Sequence, residues 1–206
     1  MIIDQINSDS FDKIHLRNRA QLIDDAFHLA RAQNIDYGVL FGLVNYLSKE
    51  MDYIPWLAFN RAHTSLNRWL SGSNIYADYQ ELVRNNVKPL FGRLGTELID
   101  NEPRVDRYAR TVAINLACQA QLPECLYETN QELLAFVYSD KRIAPEYVTT
   151  IYCNGMRTAK STLFNFMTDQ LIYSTSQTER NNIITAMGCM QVRVMCFYPF
   201  MNIKKN

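Results

Sequence analysis

Asn18-Arg19-Ala20-Gln21-Leu22-Ile23-Asp24-Asp25-Ala26-Phe27-His28-Leu29-Ala30-Arg31 is the stretch on which the reading of this fold turns. Leu22, Ile23, Ala26, Phe27 and Ala30 recur at the spacing that lines one face of a helix, while Gln21, Asp24, Asp25, His28 and Arg31 fall on the other. Asn18 stands in a capping position. Gln21, three residues later, completes a capping-box pattern in which each side chain satisfies a backbone donor that the first turn leaves open. The segment reads as one amphipathic helix starting at Asn18.

The same period continues outward. Asp36 is placed to cap a second helix with Val39, Leu40, Leu43, Val44 and Leu47 as its apolar stripe, followed by a turn over Ser48 to Met51. A third helix begins near Asp52 and carries Trp56, Phe59, Ala62, His63, Leu66, Trp69 and Leu70 on one side, with Pro55 in the first turn, where its missing donor costs little. Tyr76, Tyr79, Leu82, Val83 and Val87 mark a fourth, which Pro89, Gly92 and Gly95 are expected to end. Gly95 to Pro103 is the longest clear loop. Beyond it, Ala109, Ala113 and Ala117 suit close helix packing, a helix runs from about Pro123 to Tyr138, and Pro145 opens another. The last pair holds Leu163 to Met167 and, after a Ser176-Gln177-Thr178-Glu179 capping box, Ile183, Ile184 and Met187. No segment alternates with period two. The pattern predicts about nine helices joined by short connectors, an all-α fold built as an irregular superhelical array of antiparallel helix pairs of the HEAT/armadillo type.

Composition narrows the function classes. At 206 residues, 48% of them hydrophobic, the chain is long enough to bury a core, with one domain as the default expectation. Lys+Arg and Asp+Glu both number 21, so no electrostatic footprint points to nucleic acid or to an anionic membrane. No apolar run has the length of a membrane span, and Met1-Ile2-Ile3-Asp4 lacks the basic-then-apolar pattern of a signal peptide. No Asn-x-Ser/Thr acceptor occurs. Five cysteines, Cys118, Cys125, Cys153, Cys189 and Cys196, include no Cys-x-x-Cys pair, which speaks against a zinc ribbon or a thioredoxin-like motif; residue pattern alone leaves buried free thiols open as a reading.

Catalytic patterns are sparse. His15, His28 and His63 lie on separate elements, and His-Glu-x-x-His, Gly-x-Ser-x-Gly and a phosphate-binding glycine loop are all absent from the sequence. His63 on an apolar face reads as a packing residue and His28 as a solvated one. Asp24 and Asp25 are adjacent on a helix and point about 100° apart, so they do not converge as a general acid and base would. Trp56 and Trp69, with Tyr53 and Phe59, could line an aromatic box, but their helical spacing favours core.

Several of these stretches together resemble a known family. Asn18 to Phe27, then Tyr46-Leu47-Ser48-Lys49-Glu50-Met51-Asp52-Tyr53-Ile54-Pro55-Trp56, resemble the start of the C-terminal helical domain of zinc aminopeptidases of the aminopeptidase N type, closest in flavour to insect members. Pro89 to Gly95 is similar to that family's Pro-x-Tyr-x-x-Leu-Gly segment, Ile151 to Arg157 to its Val-Tyr-Cys segment, and Ala186-Met187-Gly188-Cys189 to its Ala-Leu-Gly-Cys. Ala159 stands where the family usually has glycine and Phe164 where it usually has tryptophan.

The resemblance implies disulfides between Cys118 and Cys125 and between Cys153 and Cys189, leaving Cys196 unmatched. It assigns residues 1–191 to part of the helical domain and 192–206, with the apolar run Met195 to Met201, to a divergent tail, so the array is expected to be truncated at its C-terminal end. The family's zinc ligands, general base and amine-anchoring segment lie in a catalytic domain absent from this sequence. The chain is therefore expected to be inactive alone, with no cofactor of its own, and to be extracellular or at the cell surface, as the family is. Its role would be to cover an active-site cavity and gate peptide access, with peptide or the missing catalytic domain as partner. The alternative is an independent helical module that binds a peptide or protein. In either case Asn18, Arg19, Gln21, Asp24 and Asp25 are read as cap, packing and ion-pair residues, not as a catalytic set.

Overall fold

A computed structural model of the chain describes residues 2–97, 99, 101–139 and 141–190. Among these, ten α-helices and two 3-10 turns account for the regular structure, and no strand is present. The helices are α1 (Ile2–Asn7), α2 (Leu16–Arg31), α3 (Tyr37–Val44), α4 (Tyr53–Leu70), α5 (Tyr76–Leu94), α6 (Arg104–Gln119), α7 (Pro123–Ser139), α8 (Val148–Met156), α9 (Ser161–Tyr173) and α10 (Gln177–Gly188). The 3-10 turns are Phe11–Lys13 and Asn45–Lys49. The all-α expectation holds, with α1 as an element the apolar period did not reveal. The expected tail, 192–206 with Cys196, lies outside the described residues.

The chain divides into two compact units, Met1–Gln121 and Leu122–Asn206. In the first, α2 packs on α3 and α4, α4 on α6, and α5 on α6 and on the Asn45–Lys49 turn. Ile23, Leu40, Trp56, Phe59, Val83, Leu90 and Leu116 are buried where these helices meet. Ala109, Ala113 and Ala117 form a buried small-residue row on α6, which lets neighbouring backbones approach closely. In the second unit, α8 packs on α7 and α10, and α9 packs on α10. A Cβ added at Gly155 would lie 2.7 Å from the Thr129 carbonyl oxygen and 2.8 Å from the Leu133 Cβ. Close approach of α7 and α8 therefore excludes any side chain there.

The structure departs from the sequence reading at the start of α2, at Pro89, at Pro145 and at Trp69. The first concerns α2, which is capped by His15 and not by Asn18: His15 Nδ1 accepts the Arg17 N–H at 3.3 Å, and its carbonyl accepts the N–H groups of Asn18 and Arg19. Asn18 and Gln21 are exposed positions inside the helix, so their capping-box spacing is incidental. Second, Pro89 does not end α5. Leu90, Phe91 and Leu94 beyond it are buried, and Pro89 and Asn85 both face solvent, so the carbonyl deprived of its donor is not trapped in the core. The helix stops at Gly95, whose φ of 58° only glycine adopts readily and whose N–H donates to Phe91 O at 2.8 Å. Third, Pro145 lies within a turn closed by the Tyr147 N–H donating to the Ala144 carbonyl, and α8 starts at Val148. Last, Trp69 is half-exposed instead of core, its ring stacked on Phe27 with centroids 6.1 Å apart.

Other caps agree with the sequence. Asp36 Oδ1 accepts the Gly38 N–H at 2.6 Å, and Ser176 Oγ accepts the Glu179 N–H at 3.3 Å. The end of α2 carries no sequence signal. Gln33, with φ of 61°, donates to the Ala30 carbonyl at 2.9 Å, and Asn34 donates to Leu29 at 2.9 Å, a Schellman pattern with glutamine in the left-handed position. Because glycine adopts that backbone without a Cβ clash, Gln33→Gly should stabilise the chain by about 1 kcal/mol in urea unfolding.

Candidate functional site

Arg19 is the polar residue around which the first unit is assembled. It lies on the buried side of α2, one turn in from His15, with its guanidinium aimed at the segment that joins the Asn45–Lys49 turn to α4. Nε donates to Glu50 Oε2 at 2.7 Å. Nη2 donates to Glu50 Oε1 at 3.2 Å and to Asp52 Oδ2 at 3.1 Å, and Nη1 donates to the Ile14 carbonyl at 2.7 Å. Phe11 lies beneath the charge, 5.3 Å from the guanidinium carbon to the ring centre. Burial works against the arginine's charge, but the Glu50 bond and the charges of Glu50 and Asp52 outweigh it, so its pKa stands above the ordinary value.

Glu50 is only 1% exposed and spends its acceptors on several donors. Oε1 takes the N–H groups of Met51 at 3.1 Å and Asp52 at 3.0 Å in addition to Arg19, and the Glu50 carbonyl accepts the Trp56 indole N–H at 2.9 Å. One carboxylate thus fixes the extended bend before α4, and one arginine joins that bend to α2. The Tyr46 hydroxyl is buried beside this pair without a hydrogen bond of its own, and burial together with the Glu50 charge pushes its pKa well above the usual phenol value.

A second arginine of the unit repeats the arrangement. Arg110 is fully buried on α6; Nε donates to the Leu94 carbonyl at 2.9 Å, and both terminal nitrogens meet the two carboxylate oxygens of Glu102. The fork pins the loop after α5 against α6. In the second unit, Cys153 on α8 and Cys189 after α10 form a disulfide across 36 residues. Cys118 and Cys125 are buried and also disulfide-bonded.

Of the residues read in the sequence as helix-cap and ion-pair groups, Arg19 is brought into a constellation, whereas Asn18, Gln21, Asp24 and Asp25 are not. Asp24 reaches only His28, at 3.8 Å on the surface, and Asp25 is exposed. Trp56 is core, as its spacing suggested, and no aromatic box forms around Trp69. Glu50, Glu102 and Arg110 were missed. Arg110 was legible in principle, since it shares the helical register of Ala113 and Ile114, where an arginine must find a carboxylate or carbonyls. Zinc does not fit these residues: His15 caps α2, His63 is engaged by Tyr79 and Gln119, and among the described residues no three His, Cys, Asp or Glu groups could hold a metal together.

Residues 1–193 match the family described as the ERAP1-like C-terminal domain. The chain belongs to that family. It is 35% identical over 188 residues to the aminopeptidase N of Plutella xylostella, covering 90% of this chain and 20% of the relative. It is 28% identical to the aminopeptidase Ey of Gallus gallus, covering 88% of this chain and 19% of the relative. It is 26% identical to the thyrotropin-releasing hormone-degrading ectoenzyme of Rattus norvegicus, covering 94% and 19%. The chain spans about a fifth of the length of these relatives. Two of the stretches that carried the resemblance, 18–27 and 46–56, meet at the Arg19 to Glu50 pair.

Two substitutions separate the buried charge from the surface one. Glu50→Gln strands the Arg19 charge and should cost about 3 to 5 kcal/mol in urea unfolding, whereas Asp52→Asn, with its partly solvated carboxylate, should cost less than about 1 kcal/mol. In the second unit, Cys189→Ser opens a 36-residue loop and should cost roughly 3 to 4 kcal/mol, read as a lowered melting temperature without added reductant.

Proposed function

We propose that this chain is a non-catalytic helical part of an aminopeptidase N-type protein, and that its role is to wall off a zinc-peptidase centre and limit which peptides reach it. The family match over residues 1–193, to relatives of which the chain covers only a fifth, is the observation that carries this reading. The chemistry of the side chains supports it. Buried charges are consumed in joining helices to loops, and the three histidines are spread over separate contacts. Any zinc belongs to another domain of such a protein, where it would polarise the scissile carbonyl and activate water. The residues described here supply the wall.

The same reading puts the chain outside the cell or on its surface. Disulfides persist in oxidising compartments, and one relative is named an ectoenzyme. Among the described residues no helix is long and apolar enough to cross a membrane.

Two assays test the two halves of the proposal. The purified chain, given zinc, should release no amine from aminoacyl chromogenic substrates; zinc-dependent hydrolysis would overturn the non-catalytic reading. Exchanged for the matching segment of the Plutella xylostella aminopeptidase N, it should keep folded proteins out while peptides are still cleaved. A hybrid that digests folded proteins as readily as peptides would overturn the gating role.

A further inference from the structure

His63 closes a contact among three helices. It lies on α4 at 2% exposure, its Nδ1 is 2.7 Å from the Tyr79 hydroxyl on α5, and its Nε2 is 3.2 Å from Oε1 of Gln119 at the end of α6. Gln119 presents a carbonyl oxygen, which can only accept, so Nε2 carries the ring proton. Nδ1 is left with a lone pair, and the Tyr79 O–H donates to it. The Tyr79 ring also stacks on the imidazole, with centroids 5.7 Å apart and planes 20° apart. Gln80 strengthens the junction by donating to the Gln119 carbonyl at 3.2 Å, and Arg84 does so by donating to Ala120 O at 2.9 Å. With a neutral ring, the His63, Tyr79 and Gln119 network is complete.

A second ring proton has no place in this network. It would make Nδ1 a donor facing a hydroxyl whose own proton then has no acceptor, and it would leave a charge in the core with no carboxylate to answer it. From α5 the ring is faced by Tyr79 and, beyond it, by Tyr76, whose hydroxyl is held between Asn67 and Gln80. From α6 it is faced by Gln119, which does not titrate, and on α4 its neighbour is Phe59. On α2, Arg19 is taken by Glu50 and Asp52, and Asp24 pairs with His28 at the surface. On α3, which reaches the site through Phe41 against Tyr79, the cap Asp36 is taken by Gly38. Among the described residues no charged side chain acts on the imidazole.

We propose that His63 is a proton-operated latch: in acid, protonation of its ring breaks the α4 to α5 and α6 contacts and loosens the first unit. Burial presses the His63 pKa down to about 4, opposed only by the Gln119 bond. The unfolded chain, with an ordinary histidine near 6.5, therefore binds one more proton than the folded chain between those values. The stability that His63 contributes is complete above about pH 6.5 and is lost as the pH falls toward 4. The unfolded-to-folded ratio rises about tenfold per pH unit in that window, or about 300-fold across it.

NMR of the full chain tests this without any substitution. The His63 ring signals should hold still from pH 8 to pH 5; a midpoint at pH 6 or above in the folded protein would overturn the proposal. A second measurement follows unfolding in urea between pH 6.5 and pH 5. His63→Gln, which cannot be protonated, should lose one proton's worth of pH dependence, tenfold per pH unit, relative to the parent. An unchanged slope would equally overturn the latch.

Discussion

A buried guanidinium bound on all sides is the constraint on which the first unit depends. Arg19 cannot be hydrated where it lies, so its five donor positions dictate what surrounds it: Glu50 in a two-pronged grip, Asp52 at the rim, the Ile14 carbonyl behind. Those partners are all in non-helical backbone. The pair therefore does what apolar packing cannot, which is to fix the path of chain segments that have no regular hydrogen bonds of their own. Glu50 extends the effect by accepting two backbone N–H groups of the bend, and the Glu50 carbonyl, holding the Trp56 indole, sets the angle at which α4 leaves it.

Arg110 applies the same logic to the loop between α5 and α6, with Glu102 and the Leu94 carbonyl as its partners. The two arginines thus secure two irregular stretches of the unit, and the second unit uses a covalent tie, Cys153 to Cys189, to hold α8 to the end of α10. Buried ion pairs add little net stability compared with a well-packed apolar substitute, because each charge must first be stripped of water. What they contribute is a single answer to where the loops go.

How much of this could be read from the sequence follows from which interactions are local. The helices α2 to α10 were legible because burial imposes a 3.6-residue period, and the caps at Asp36 and Ser176 because they act over two or three residues. Asn18 misled for a related reason: its spacing to Gln21 satisfies the capping pattern, yet His15 starts the helix earlier, and Arg19 has to be helical already to reach both Ile14 and Glu50. Pro89 misled because a local rule was overridden by the burial of Leu90, Phe91 and Leu94 beyond it. The ends at Gln33 and Gln121 left no trace, since both take a left-handed backbone with a residue that does not advertise it. The charge partners were hardest. Arg19 and Glu50 are 31 residues apart, and no periodicity links them. The resemblance marked both stretches but not their contact, and the proposed gating role rests on family membership.

A double-mutant cycle on Arg19 and Glu50 tests the central claim most directly. Arg19→Met, Glu50→Leu and the double variant would be unfolded in urea and compared with the parent. If the pair is the buried constraint described here, each single change strands one charge and costs more than the double change, with a coupling energy above about 2 kcal/mol. Single effects that simply add, with a coupling near zero, would contradict the account.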